Sequence, residues 1–190
     1  MDEVISLIRD RLPTSQGPDQ SADFSFEPPS HESVLEIDGR RLGFRVPALL
    51  RRLYREIGNG GFGPGYGLIG MSDGATDDFG RTAPEIYESL STRHPKNSAW
   101  PWPSRLLPIC HWGCAIYSCI DCATLDFPMR IFDPNVRADP SSWDDALFAE
   151  ARSFEAWIEA WARGEDLWEA SHGDEGFVAR ELRRRASNQT

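Results

Sequence analysis

The chain has 190 residues, with 20 Lys and Arg against 30 Asp and Glu, a formal charge of −10. That length, with 40% hydrophobic residues, fits one domain with its own core and excludes a wholly disordered chain. The acidity removes the basic footprint that nucleic-acid binding requires, and Lys96 is the only lysine among the cations.

Residues 1–12 (MDEVISLIRDRL) lack the basic start and apolar run of a secretory signal. No stretch approaches the ~20 apolar residues of a membrane helix, so the expected location is the cytoplasm, with no membrane partner. Val4, Ile5, Ile8 and Leu12 share one face of a short helix that stops at Pro13. Residues 13–29 read as a linker rich in Pro, Ser, Asp and Gln. Residues 32–44 are ambiguous, because Ser30 can cap a helix while Gly39 weakens its middle.

Pro47 suits a first helical turn, with Leu49, Leu50, Leu53, Tyr54 and Ile57 on one face and Arg51, Arg52, Arg55 and Glu56 on the other. Gly58 is placed for a left-handed cap, and Asn59-Gly60 continues the turn. Leu68–Met71 reads as a short strand, and Thr82 with Glu85 forms a capping box before Ile86, Tyr87 and Leu90. From Leu106 to Phe132 the pattern is that of a sheet. Residues Cys114 to Ile120 alternate as in a strand covered on both faces, and Met129–Phe132 pairs with it. Phe154, Trp157, Ile158 and Trp161 define a helix capped by Ser153 and ended by Gly164. The tail after Gly173 is expected to fray. Helices flanking a run of strands, without βαβ alternation, give an α+β domain, expected at 30–170 between a short helix and linker (1–29) and a flexible tail (171–190).

Few constellations carry chemistry. Two G-x-G-x-x-G matches, Gly58-Gly60-Gly63 and Gly65-Gly67-Gly70, follow a helix and lead into a strand, the reverse of a phosphate-cradling context. Cys110, Cys114, Cys119 and Cys122 are either small buried thiols or, at an unusual spacing, zinc ligands. His31, His94, His111 and His172 lie in no nucleophile elbow or H-E-x-x-H motif, so no catalytic, cofactor or metal residue is expected. Residues 139–175 hold 11 acidic and 2 basic residues, a density that either steers a basic protein partner or keeps the chain soluble. Trp100-Pro101-Trp102-Pro103 either packs on the sheet or anchors a partner.

Three blocks, in order, resemble the SUKH superfamily of Smi–Knr cell-wall regulators and bacterial immunity proteins. They are LGFRVPALLRRLYREIGNGGFGPGYGLIG (42–70), LLPICHWGCAIYSCID (106–121, with a W-G-C turn) and SFEAWIEAWARGEDLW (153–168). The resemblance implies a single α+β domain with a twisted, mainly antiparallel sheet packed against helices, a helical 32–41 segment and no catalysis. It also implies direct binding of a protein, commonly a toxin domain and frequently a nuclease. The expected partner is thus a basic toxin domain, met by Asp77, Asp78, Trp100, Trp102, Asp121, Asp144 and Asp145. A regulatory scaffold of the same fold is the alternative, and a zinc module or enzyme a more distant one.

Overall fold

Apolar residues at helical spacing place the first helices against one core. The computed structural model describes residues 1–12, 27–92, 101–137 and 144–187. Helix α1 (Asp2–Arg11) buries Val4, Ile5 and Ile8. Helix α2 (Glu32–Leu42) is helical despite Gly39, capped by His31, whose ring accepts the Ser33 N–H, and ended by Gly43 at φ 73°. Its Asp38 is buried and accepts Ser72 N–H at 2.9 Å and Ser72 Oγ–H at 2.6 Å, fastening the helix to a distant loop.

Helix α3 (Ala48–Glu56) turns Leu49, Leu50, Leu53 and Tyr54 inward, and the Tyr54 hydroxyl donates to Ile69 O at 2.6 Å. Beyond α3 the left-handed residues are Gly60 and Gly61, not the expected Gly58, whose N–H bonds back to Leu53 O at 3.2 Å. The chain returns so closely there that a Cβ on Gly60 would stand 2.6 Å from Leu68 O. Asn59 fixes this return: its side chain donates to Ser72 O at 3.0 Å and accepts Met71 N–H at 2.9 Å. In consequence residues 68–71 make one antiparallel bridge, Leu68 to Cys110, instead of the expected strand. Helix α4 (Ala83–Ser91) starts at the expected capping box, with Glu85 accepting both the backbone N–H and the hydroxyl of Thr82 at 2.8 Å.

The sheet is an antiparallel meander, β1 (Leu106–His111), β2 (Tyr117–Asp121), β3 (Met129–Phe132) and β4 (Leu147–Ala151), in that spatial order. Strand β2 starts three residues after Cys114, because Gly113, Cys114 and Ala115 all adopt positive φ (82°, 50° and 60°) and form the turn. Successive side chains alternate between faces. Tyr117 and Phe132, paired in register, turn toward Asp77 and Trp102. Ser118, Ile131 and Phe148, one step out of phase, line the opposite face.

Helix α5 (Phe154–Ala162) follows β4 and packs on α1, so the N-terminal helix shares the main core with the segment that the sequence separates from it. Gly164, at φ 98°, closes α5 as expected, with Gly164 N–H bonded to Trp161 O and Glu165 N–H to Ala160 O. The chain then forms α6 (Leu167–His172) and α7 (Phe177–Ser187), where the sequence suggests a fraying tail. Val178 of α7 closes a second, smaller apolar cluster with Ile116, Ile131 and Phe148, which is what orders this segment.

Candidate functional site

One end of the sheet, at the β1–β2 turn, carries a run of exposed rings. Gly65 makes this possible: a Cβ there would lie 2.7 Å from His111 O and 2.9 Å from the Trp112 ring. The glycine-rich loop therefore lies flat on β1, and Tyr66 N–H bonds to His111 O at 3.1 Å. Tyr66, 46% exposed, stacks on the His111 ring with centroids 5.2 Å apart. His111 is itself buried, with Nδ1 3.6 Å from Asp78. Burial pulls the imidazole below its ordinary pKa, while the charges of Asp78 and Asp77 act in the opposite direction. The neighbouring Phe79 is 69% exposed beneath the Arg81 guanidinium.

On the other side of Tyr66 the run continues through Gly113, close to the Tyr66 ring, to Trp112. Trp112 meets Trp168 of α6 at 5.5 Å, and Trp168 in turn lies on His172. Trp168 is 38% exposed and stands among the exposed carboxylates Glu165, Asp166 and Glu169. An open cleft of about 320 Å³ lies beside them, lined among others by Gly65, Trp112, Trp161 and Leu167. A buried relay fixes Trp112 from below. Its Nε1–H donates to Ser118 Oγ at 2.9 Å, and that hydroxyl donates to Glu150 Oε1, which also accepts Trp157 Nε1–H at 2.7 Å.

The residues singled out from the sequence are dispersed. Asp78 belongs to the exposed run. Asp77 is turned inward, accepting the N–H groups of Phe79 and Arg81, the Arg81 guanidinium at 2.7 Å and the Tyr117 hydroxyl at 3.0 Å. Burial opposes its ionisation, but these donors outweigh it and hold its carboxyl below the ordinary value. Trp102 is packed, edge-on to Phe132 at 5.0 Å and donating to Leu106 O, the packing alternative of the sequence reading. Trp100 lies outside the described residues. Asp144 is exposed and Asp145 half-buried at the start of β4, at the same sheet end as Tyr117 and Phe132. Asp121 sits at the opposite end, 3.3 Å from Arg130. Tyr66, Phe79, Trp112 and Trp168 escape sequence reasoning because they lie in loops, a turn and a six-residue helix, without periodicity.

Among the described residues, the chemistry-bearing groups are mostly buried in structural contacts. Ser171, His172 and Asp133 are linked in line, at 2.9 Å and 3.2 Å. Yet Ser171 is fully buried, and its hydroxyl sits 2.9 Å from Leu167 O and 3.0 Å from Trp168 O, out of reach of a substrate. Cys110, Cys119 and Cys122 are buried, and burial raises their thiol pKa, that of Cys122 to about 12; Cys114 is exposed on the turn. Among the described residues no three His, Cys, Asp or Glu side chains converge as a metal site. The glycine-rich loop leads to a bridge with β1 and opens no helix onto a phosphate.

A family model described as the SMI1 / KNR4 family (SUKH-1) matches residues 28–160. The chain belongs to this family. No curated protein matches it. The SUKH-1 segment runs from the approach to α2 into α5, so Tyr66, Asp78, Phe79, His111 and Trp112 lie inside it, and Trp168 just beyond. SUKH-1 membership supports, at the level of the family, a function of the immunity or Smi1–Knr4 type, generally non-catalytic and exercised through protein–protein contact. No helix among the described residues is long and apolar enough to cross a membrane.

Proposed function

We propose that this SUKH-1 protein is a cytoplasmic immunity protein that neutralises a cognate bacterial toxin by binding it directly. The observation that carries the reading is the continuous surface from Phe79 and Asp78 through Tyr66 and Trp112 to Trp168, almost all of it inside the family-matched segment. Half-exposed Trp and Tyr rings are the side chains that dominate protein interfaces. The flanking carboxylates, on a chain of charge −10, suit a partner whose surface is cationic, such as a nuclease domain lined to hold phosphates. Occlusion by stoichiometric binding needs no reacting group on this side of the interface.

The test is co-expression with basic toxin domains, starting with any found encoded beside this chain. The expected result is rescued growth and a co-purifying complex, with rescue lost in a Trp168→Ala, Asp78→Lys double variant that still folds. Rescue undiminished in that variant would remove the surface from the interface, and absence of any complex would point to the regulatory scaffold of the same fold.

A further inference from the structure

The C-terminal helix stands apart from the rest of the fold. Both α6 and α7 follow the family-matched segment, which ends at residue 160. Helix α7 does not enter the main core. It covers a separate patch on the outer sheet face, Ile116, Ile131 and Phe148, with Val178 as its one buried residue and Phe177 and Leu182 half-buried beside it. One buried and two half-buried apolar side chains hold the eleven residues of α7, a thin contact of the kind that marks locally opening elements.

The charge is equally distinctive. Helix α7 carries Arg180, Arg183, Arg184 and Arg185 with one acid, Glu181, on an otherwise acidic chain. Arg185 bridges the helix to the sheet: its guanidinium lies 4.8 Å over the Phe148 ring, donates to Asp145 O at 2.8 Å and reaches Asp145 Oδ1 at 3.5 Å. The patch under α7 is also continuous with the exposed ring surface, because Trp112 packs against it.

We infer that the face formed by Ile116, Ile131 and Phe148, with Asp145 on its rim, is a docking site for a basic amphipathic helix, occupied in cis by α7. The contact is autoinhibitory: α7 covers one flank of the binding surface with the kind of charge that the proposed partner brings. A partner engaging that flank must first displace it. Only this last step rests on the function proposed above.

A fluorescently labelled synthetic peptide of residues 174–187 tests the inference on the full-length chain. Val178→Asp places a charge in the apolar patch and should release α7, seen as rapid hydrogen exchange of residues 177–187 with the sheet still protected. The peptide should then bind this variant at least tenfold more tightly than the wild type, where the tethered helix competes. A peptide carrying the same substitution should not bind. Arg185→Glu removes the Phe148 and Asp145 contacts without charging the patch, and gives the same readout if Val178→Asp fails to fold. Equal peptide binding to wild type and variant, or no binding to a variant whose α7 exchanges freely, overturns the inference. Because the probe is the chain's own segment, a toxin domain that binds no form of the protein refutes the immunity function and leaves this measurement intact.

Discussion

Trp168 lies flat on His172, ring centroids 4.1 Å apart and planes 7° from parallel, while His172 Nε2 reaches Asp133 Oδ2 at 3.2 Å. The exposed tryptophan is therefore held in one orientation by a side chain that is itself tied to the end of β3. An aromatic ring already ordered before binding loses little entropy on contact, which is the property of an interface anchor. Trp168→Ala should weaken the complex with a basic partner by about 2 kcal/mol or more, roughly thirtyfold, while shifting fold stability by much less. Titration calorimetry of the complex alongside urea unfolding of the free chain separates the two effects. A loss of stability equal to the loss of affinity would reduce Trp168 to a packing residue.

Asp133 links this anchor to acid stability. Burial acts to raise its pKa, but hydrogen bonds from His172 and Asn135 outweigh it and hold the carboxyl below its ordinary value. A depressed folded value contributes stability that is present above the unfolded pKa, about 3.9, and is lost as pH falls through the folded one. Replacing Asp133 by Asn should flatten the acid limb of the stability curve below about pH 4. Urea midpoints measured from about pH 5 down to about pH 2 would show the wild-type curve falling first and the variant changing less.

Glu150 has the opposite sign. Its desolvated carboxyl is raised to about 7 despite the donors Trp157 and Ser118, and its Oε2 is buried with no partner. The unfolded chain releases this proton near about pH 4.3, so stability is lost as pH rises from there through about 7, by at most about 4 kcal/mol. Glu150→Gln keeps an acceptor for Trp157 and Ser118 and has no charge to bury. It should remove that slope and exceed the wild type in stability at pH 8. A wild-type stability that does not decline between pH 5 and 8 would refute the assignment.

What could be read from the sequence follows physical periodicity. Helices α3, α4 and α5 were legible from their apolar spacing, reinforced in α4 by the Thr82–Glu85 capping box and in α5 by the Ser153 cap and Gly164. Strand β4 was not, since Leu147-Phe148-Ala149-Glu150-Ala151 is rich in helix formers and is held extended by pairing with β3. Asp77 and Asp78 show the limit for the surface. They are adjacent and chemically identical, yet Arg81 and Tyr117 draw one inside and leave the other beside His111. No local pattern distinguishes them. The exposed rings likewise come together only through the flat path of the 65–67 loop over β1, a tertiary fact.

The cysteines offer a direct check of the packing. Cys114 is exposed on the left-handed turn, whereas the other three thiols are buried and raised above the ordinary value. The thiolate is the reactive form, so burial suppresses reaction twice, through access and through ionisation. A disulfide reagent at pH 8 should titrate one thiol quickly in the native chain and four after denaturation. Two or more fast native thiols would contradict the buried positions.

Helix α1 precedes the family-matched segment, yet it is part of the fold by energy as well as position. Ile8 is fully buried in the main core, where α1 packs on α5. Truncation of such a side chain removes its transfer free energy and leaves a cavity, so Ile8→Ala should cost about 2–5 kcal/mol. Urea unfolding should show one transition at a lower midpoint, without an early phase assigned to α1 alone. A midpoint unchanged by the substitution would make α1 an appendage.

Charge should govern how fast a partner arrives more than how long it stays. Asp78, with its side chain 55% exposed beside the stacked Tyr66–His111 pair, lies within the proposed interface. Asp121 lies at the far end of the sheet, already paired with Arg130. Steering by exposed charge is screened over a Debye length of about 8 Å at physiological salt. Asp78→Lys should therefore slow association with a cationic partner several-fold at low ionic strength, the difference closing as salt is raised, while Asp121→Lys leaves the rate nearly unchanged. Stopped-flow association rates over a salt series give both numbers. Equal slowing by the two substitutions would mean that only the net charge of the chain matters, and would detach the interface from this end of the sheet.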